Sequence, residues 1–138
     1  MISLTVGEAM SRNFARITAD MPVVEATSAL IKKAMIGSPV LDVEGKLVGW
    51  VSEQECLHVS IQVLYHNQRV STVQKIMRKD VVAVQETDDL MAVATQMLEQ
   101  KPKSYPVINI HGKVVGVISR RDVLHALDNE LKHVAKRK

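Results

Sequence analysis

Residues 104–125 read SYPVINIHGKVVGVISRRDVLH, and the rest of the chain can be interpreted outward from this stretch. Two runs rich in branched aliphatic residues, 105–110 and 114–118, predict two short strands joined by a turn at 111–113. Ser119 then opens a helix and lies three residues before Asp122 on its first turn. Because backbone N–H groups at a helix start lack partners within the helix, such a site suits a sugar and a phosphate.

The same pattern occurs earlier in the chain. Residues 38–58, SPVLDVEGKLVGWVSEQECLH, align with 105–125 after a shift of 67 positions, and no gap is needed. Over 5–58 and 72–125 the identical pairs are Thr5/Thr72, Val6/Val73, Met10/Met77, Pro39/Pro106, Val40/Val107, Gly45/Gly112, Lys46/Lys113, Val48/Val115, Gly49/Gly116, Ser52/Ser119, Leu57/Leu124 and His58/His125. Most of them fall in the strand-turn-strand-helix portion, as expected for a duplicated structural unit.

The order of elements in this repeat resembles the CBS domain, and two repeats in tandem resemble a CBS pair, or Bateman module. The resemblance rests on an apolar-x-Pro-Val strand, a Gly-Lys turn, and a Val-Gly-apolar-apolar-Ser-x-x-Asp/Glu segment that opens a helix. It covers about 4–127 of the sequence. It implies a mixed α/β (α+β) fold, in which duplicated β-α-β-β-α units are related by pseudo-two-fold symmetry and form two clefts on opposite sides of the axis.

We expect repeat 1 at 1–64, a polar linker at 65–71, and repeat 2 at 72–138 with a basic C-terminal helix end. A chain of 138 residues with 46% apolar content is long enough to form one globule from these two halves. Since only 3% of the residues are aromatic, we expect an aliphatic core and few stacking contacts to a ligand.

The single cysteine, Cys56, cannot form an internal disulfide, and it aligns with Val123 on a predicted helix. We therefore expect a small core residue, and the alternative of a nucleophile is weaker. The N-terminus lacks the charged start and apolar run of a signal peptide, and no stretch is apolar enough to span a membrane. These features predict a cytoplasmic protein without membrane insertion.

The net charge of +3 arises from a basic tail made of Lys132, Lys136, Arg137 and Lys138. Without that tail the chain carries 14 basic and 15 acidic groups, so the folded body is about neutral. Cations at the end of a helix complement its dipole. Nucleic-acid binding through the tail is therefore the weaker alternative.

Each repeat is predicted to begin with a helical turn, at 5–10 and 72–77, and a strand, at 14–17 and 81–84. Asp20 and Thr87 are suitable N-caps for the helices that follow, and apolar residues at helical spacing mark the core faces: Val23, Ala26, Leu30 and Ala34, then Leu90, Val93 and Met97. Strands start near Pro39 and Pro106, extend over 40–43 and 107–110, and turn at Gly45 and Gly112. The returning strands, 47–51 and 114–118, are predicted to be buried on both faces. Final helices follow from Ser52 to about 64 and from 120 to about 136.

Two interpretations fit Ser119-x-x-Asp122 and Ser52-x-x-Glu55. The first is a capping box, in which each side chain satisfies an orphan backbone donor. The second is implied by the resemblance: the carboxylate accepts both ribose hydroxyls, and the serine and helix start hold a phosphate. Asp122 matches the family pattern, whereas Glu55 is one methylene longer and departs from it.

We therefore favour the second repeat as the nucleotide site. The resemblance places the base between the end of the first strand and the start of the second, where backbone amides could read the adenine edge. The candidate residues are Val84, Gln85, Ser104, Tyr105, Pro106, Ser119, Arg120, Arg121 and Asp122. The doubtful first-repeat equivalents are Ile17, Thr18, Gly37, Ser38, Pro39, Ser52 and Glu55. Tyr105 is either a surface for the base or a partly exposed strand residue.

The resemblance implies a regulatory module that binds AMP, ADP or ATP, requires no cofactor, and has no chemistry of its own. The alternative is a CBS-fold protein-interaction or dimerisation module with no nucleotide bound. No histidine pair, glycine-rich phosphate loop or nucleophile with a base indicates an enzyme or a metal site. Isolated CBS pairs commonly form homodimers, so we expect a homodimer through Val59, Val63, Val123 and Leu127, and a regulated enzyme or transporter as partner.

Overall fold

The computed structural model of the protein describes residues 3–99 and 103–137. The helices are α1 (Val6–Ala9), α2 (Val23–Lys33), α3 (Glu53–His66), α4 (Val73–Ile76), α5 (Leu90–Glu99) and α6 (Arg120–Arg137). The strands are β1 (Ile17–Thr18), β2 (Gly37–Leu41), β3 (Leu47–Ser52), β4 (Val84–Gln85), β5 (Ser104–Ile108) and β6 (Val114–Ser119). The prediction of duplicated β-α-β-β-α units is confirmed.

Two three-stranded sheets have equivalent topologies. The first has the order β1-β2-β3, with β1 parallel to β2 and β2 antiparallel to β3. The second has the order β4-β5-β6, with β4 parallel to β5. The registers match as well, because Ile17 lies opposite Val40 and Val84 lies opposite Val107, a shift of 67 in both positions.

The hairpin turns form where glycine was expected to permit them. Gly45 has a φ of +83° and Gly112 a φ of +77°, values that a residue with a side chain rarely adopts. The prediction that β3 is buried on both faces is wrong. Gly49 and Val51 are buried, but Val48 and Trp50, which alternate with them along the strand, are only partly buried. In β6 burial is more continuous.

The first strand of each repeat is shorter than predicted. β1 and β4 comprise two residues each, so the predicted strands at 14–17 and 81–84 are wrong over most of their length. The backbone of Ala15 explains the first case, because its N–H donates to Met35 Sδ at 3.3 Å and its carbonyl accepts the Ser38 hydroxyl at 2.7 Å. The N–H and carbonyl of Ala15 are thus bonded to side chains and are not available to pair with a neighbouring strand.

The two predicted N-caps are also wrong, because both helices start later. Asp20 accepts the Thr18 hydroxyl at 2.7 Å, and α2 begins only after Pro22. In the second repeat, Asp89 lies just before α5 and accepts the Ala92 N–H at 3.2 Å. The N-cap therefore lies two residues after Thr87.

The chain divides into two compact units that do not coincide with the sequence repeats. The first-sheet unit comprises residues 13–81 and 112–114, and the second-sheet unit comprises 3–12, 82–99, 103–111 and 115–137. The first core contains Ala15, Ile17, Val23, Ala26, Leu30, Val40, Val51, Cys56, Val59 and Val73. The second contains Val6, Val84, Leu90, Val93, Met97, Tyr105, Val107, Ile118 and Val123.

Each repeat contributes its short first helix to the unit built around the other repeat's sheet. In the second-sheet unit, the N–H of Val6 donates to the Asp88 carbonyl at 2.9 Å, and Val6 is fully buried. In the first-sheet unit, the N–H of Val73 donates to the Met21 carbonyl at 2.8 Å, and Val73 is fully buried. A single repeat therefore lacks part of the core that packs on its own sheet. The domain boundaries at 1–64 and 72–138 describe the repeats in the sequence, and as boundaries of folded domains they stay a prediction.

The described helices include none with the length and apolarity needed to cross a membrane.

Candidate functional site

The start of α6 is a closed capping box. The N–H and the hydroxyl of Ser119 both donate to Asp122 Oδ2 at 2.9 Å. The Asp122 N–H in turn donates to Ser119 Oγ at 3.1 Å. The distances therefore fit the capping interpretation. A ligand would have to bind to hydrogen-bonding groups at the helix start that the cap does not use.

The cap leaves one carboxylate oxygen and one amide. The Arg120 N–H donates to the Lys103 carbonyl at 3.0 Å, which removes a further orphan donor. Within residues 3–99 and 103–137, the Arg121 N–H has no acceptor and Asp122 Oδ1 has no donor. The side chains of Arg120 and Arg121 are exposed. Since cations at a helix N-terminus are disfavoured by the dipole, an anion placed there would relieve an unfavourable charge arrangement.

The start of α3 has the same cap and a different carboxylate arrangement. The Ser52 N–H donates to Glu55 Oε1 at 2.7 Å, and the Glu55 N–H donates weakly to Ser52 Oγ at 3.4 Å. The second oxygen, Oε2, lies 3.7 Å from Nε of Arg78. The extra methylene of glutamate thus lets one carboxylate serve both the cap and an ion pair.

A shallow cavity of about 440 Å³ opens beside this ion pair. It is lined by Ser52, Gln54, Glu55, His58, Val59, Ile76 and Arg78. The sequence indicated Ser52 and Glu55 but missed Arg78, because Arg78 belongs to the second repeat, where it follows α4. The His58 side chain is exposed and forms part of the cavity wall.

Most polar groups at the predicted base positions are already used within the protein. Ser38 is fully buried and its hydroxyl donates to the Ala15 carbonyl, while the Gln85 N–H donates to Asp88 Oδ2 at 2.9 Å. Pro39 and Pro106 are fully buried and have no N–H to donate. Few amide donors therefore remain for an adenine edge at these strand starts.

Tyr105 is a core residue. Its side chain is 1% exposed and belongs to the apolar cluster of the second-sheet unit, so the partly exposed alternative is wrong. Burial raises the pKa of the Tyr105 phenol. The ring has no exposed face for a base, and a contact at this position would have to involve the backbone.

Trp50 distinguishes the first-repeat strands from the second. A Cβ on Gly37 would lie 2.6 Å from the indole Nε1, so the ring lies directly against the start of β2. The aligned residues in the second repeat are Val117 and Ser104. Trp50 was not among the residues predicted from the sequence, although a glycine-tryptophan pair with no counterpart in the other repeat was a readable signal.

Cys56 is buried in the first core, which confirms the prediction of a small core residue. Burial raises the pKa of the Cys56 thiol, so the reactive thiolate is disfavoured. In the described part of the chain, no three His, Cys, Asp or Glu side chains converge as they would around a metal ion.

The four apolar residues that were predicted to form the dimer surface are not exposed as expected. Val59 and Val123 are buried in the two cores, and Val63 and Leu127 pack partly buried against them. A groove of about 730 Å³ between α2 and α3 instead exposes apolar side chains, among them Ile31, Ile36 and Leu57.

Comparisons with known proteins agree with the duplicated architecture. The sequence model of the CBS domain matches residues 6–61 and 73–129. An uncharacterised protein of Methanocaldococcus jannaschii, MJ1004, is 32% identical over 126 residues, which are 90% of this chain and 56% of that protein. The CBS domain-containing protein MJ0729 of the same organism is 29% identical over 133 residues, covering 94% of this chain and 99% of that protein.

A solved structure of CBSX2 in complex with AMP superposes with a TM-score of 0.80 at 28% identity, covering 91% of this chain and 97% of that one. CBSX2 is a CBS-pair protein of Arabidopsis thaliana. This chain spans little more than half of the length of MJ1004.

Proposed function

The chain belongs to the CBS domain family, and on that basis we propose that it is a regulatory module that binds an adenosine nucleotide. The observation that carries the proposal is the start of α6, where one Asp122 oxygen and the Arg121 amide have no partner among the described residues and lie beside two exposed arginines. The complex of CBSX2 with AMP supports the choice of ligand class. In this proposal the module performs no chemistry and requires no cofactor.

We assign the ribose to Asp122 and the phosphate to the helix start. Oδ1 of Asp122 accepts the ribose hydroxyls while Oδ2 keeps the cap, so binding does not require the helix start to open. Ser119, the Arg121 amide and the side chains of Arg120 and Arg121 contact phosphate oxygens, because guanidinium groups match phosphate geometry. The base lies near Val84, Gln85 and 104–106, as the family resemblance implies.

The first-repeat site is proposed to bind a nucleotide more weakly. Both oxygens of Glu55 are already engaged, and the first turn of α3 carries Glu53 in place of Arg120. A carboxylate beside the phosphate position repels it. The residues Ile17, Thr18, Gly37, Ser38, Pro39 and Ser52 remain the candidate lining of this weaker site.

As a regulator, the protein would pass ligand occupancy to an enzyme or transporter in the cytoplasm, and it would do so as a homodimer. The exposed groove between α2 and α3 also supports the second candidate, a protein-interaction module without nucleotide.

Light scattering at tens of micromolar should give the mass of the proposed homodimer, and a monomeric mass would contradict it.

Calorimetric titration with AMP, ADP and ATP tests the nucleotide proposal directly. We expect a saturable heat with at least one of them, together with a rise in melting temperature, because a ligand that binds only the native state stabilises it. If none of the three gives heat or a melting shift, the protein-interaction function is favoured instead.

A further inference from the structure

We infer that Arg78 determines specificity at the first-repeat site by exchanging Glu55 for the phosphate of a bound nucleotide. This inference rests on the proposed function and adds how that site distinguishes a nucleotide from a nucleoside.

The backbone of Arg78 is fixed against β3. The Trp50 N–H donates to the Arg78 carbonyl at 2.9 Å, and the Arg78 N–H donates to the Trp50 carbonyl at 2.8 Å. Gly49 permits this approach, because a Cβ there would lie 2.8 Å from the Arg78 carbonyl oxygen and 2.6 Å from Met77 Sδ. The backbone of Arg78 is therefore held at the edge of the cavity, while its long side chain can change rotamer.

The ion pair of Arg78 is exchangeable. Its Nε lies 3.7 Å from Glu55 Oε2, and the arginine side chain is 65% exposed. A long, solvated pair of this kind contributes little to stability. Glu55 keeps its 2.7 Å bond from the Ser52 N–H when the arginine leaves, so the cap survives the exchange.

A phosphate is the stronger partner for the arginine. It accepts two parallel N–H bonds from a guanidinium, whereas the present contact involves one nitrogen. A bound nucleoside monophosphate would recruit Arg78 into the cavity of about 440 Å³. A nucleoside has no group to recruit it, so Arg78 would remain on Glu55.

The second-sheet unit has no arginine at the equivalent place. Ser11 aligns with Arg78, and its backbone makes the same pair of bonds, with Val117, at 2.9 Å each. Discrimination by this position is therefore confined to the first-repeat site.

The full chain offers a local probe for the test, because Trp50 is its only tryptophan and lies against the first-repeat strands. Tryptophan fluorescence is titrated with AMP and with adenosine for the wild type and for Arg78→Gln. We expect Arg78→Gln to weaken AMP about ten- to a hundred-fold, the effect of losing a charged hydrogen bond, and to leave adenosine unchanged. Lys79→Gln, which removes the same charge one residue later, should change neither affinity.

Glu55→Gln should act in the opposite direction. Without the carboxylate, Arg78 loses the ion-pair partner that competes with the phosphate, so the ratio of AMP to adenosine affinity should rise. Arg78→Lys keeps the charge but loses the planar fork, and we expect an intermediate loss. If Arg78→Gln lowers the melting temperature, Arg78→Lys provides the test of the role of Arg78 in its place.

The outcomes separate this inference from the proposed function. An unchanged affinity ratio in Arg78→Gln, with AMP still binding, would overturn the role of Arg78 alone. Calorimetric heat that Asp122→Ala abolishes, without any change in Trp50 fluorescence, would also overturn it while supporting the nucleotide proposal. Absence of both heat and fluorescence change with AMP would overturn both.

Discussion

Helices α3 and α6 begin with the same serine and the same cap, but their first turns differ in charge. Residues 52–55 are Ser-Glu-Gln-Glu, and residues 119–122 are Ser-Arg-Arg-Asp. In the first site Arg78 neutralises one carboxylate from outside the helix. In the second, the two arginines are on the helix itself.

The difference shows which residues a duplicated fold keeps and which it is free to change. Gly45 and Gly112 are kept because the turns need positive φ, and the two capping serines are kept because the helix starts need an acceptor. Exposed first-turn residues are under no such constraint. Two sites with one backbone can therefore prefer different ligands.

Cutting the chain at the repeat boundary should have the largest effect. Residues 1–66 retain Val6, which belongs to the core of the second-sheet unit, and lack Val73, which is buried in the first. We expect this fragment to be largely unfolded by circular dichroism and NMR. Residues 13–81 are the matched control, because they contain every buried residue of the first core, and should be better dispersed. Equal folding of both fragments would contradict the exchange of α1 and α4.

The two carboxylates should differ strongly in ligand binding. Asp122→Ala removes the proposed ribose partner and should lower nucleotide affinity by about ten- to a hundred-fold, measured by calorimetry. Glu55→Ala should have a smaller effect on total binding. If Asp122 acts only as a cap, affinity should be unchanged after correction for folding, and the loss would be about 1 kcal/mol of stability.

Exchanging the first-turn charges should shift affinity from one site to the other. Glu53→Arg with Gln54→Arg gives α3 the charges of α6, and AMP affinity reported by Trp50 should rise roughly three- to tenfold through surface electrostatics. The reverse change, Arg120→Glu with Arg121→Gln, should weaken the second site in calorimetry. Both effects should shrink at high salt, since exposed charges are screened. A gain that is independent of salt would point to a different cause.

The smallest expected difference lies in the caps. Ser119→Ala and Ser52→Ala should each cost about 1 kcal/mol of unfolding free energy in urea. The Ser119 change should cost more, because its accepted bond is 3.1 Å against 3.4 Å and its hydroxyl also donates to Asp122. Ser28→Ala, on an exposed position of α2, should stay within about 0.5 kcal/mol. Equal losses at all three serines would remove the capping explanation.

The sequence alone determined the elements and their duplication. Turns at Gly45 and Gly112, strand starts next to Pro39 and Pro106, and caps at the two serines all follow from local backbone requirements. Such requirements involve residues that are near one another in the chain, so a single sequence can reveal them. The core faces of α2 and α5 were readable for the same reason, but the prediction that Ala34 belongs to the core face is wrong. Ala34 ends α2 in the left-handed conformation and is exposed.

Tertiary structure decided which parts meet. Val6 and Val73 are identical residues in equivalent segments, so nothing local indicates which sheet each one packs against. That exchange brings Arg78 to Glu55, and the sequence could not anticipate the pair because the residues are 23 positions apart and helix α4 lies between them. The burial of Tyr105 and the position of Trp50 over Gly37 were likewise settled by packing. Local propensity determines the secondary-structure elements, whereas the choice among similar apolar contacts depends on the free energy of the whole fold.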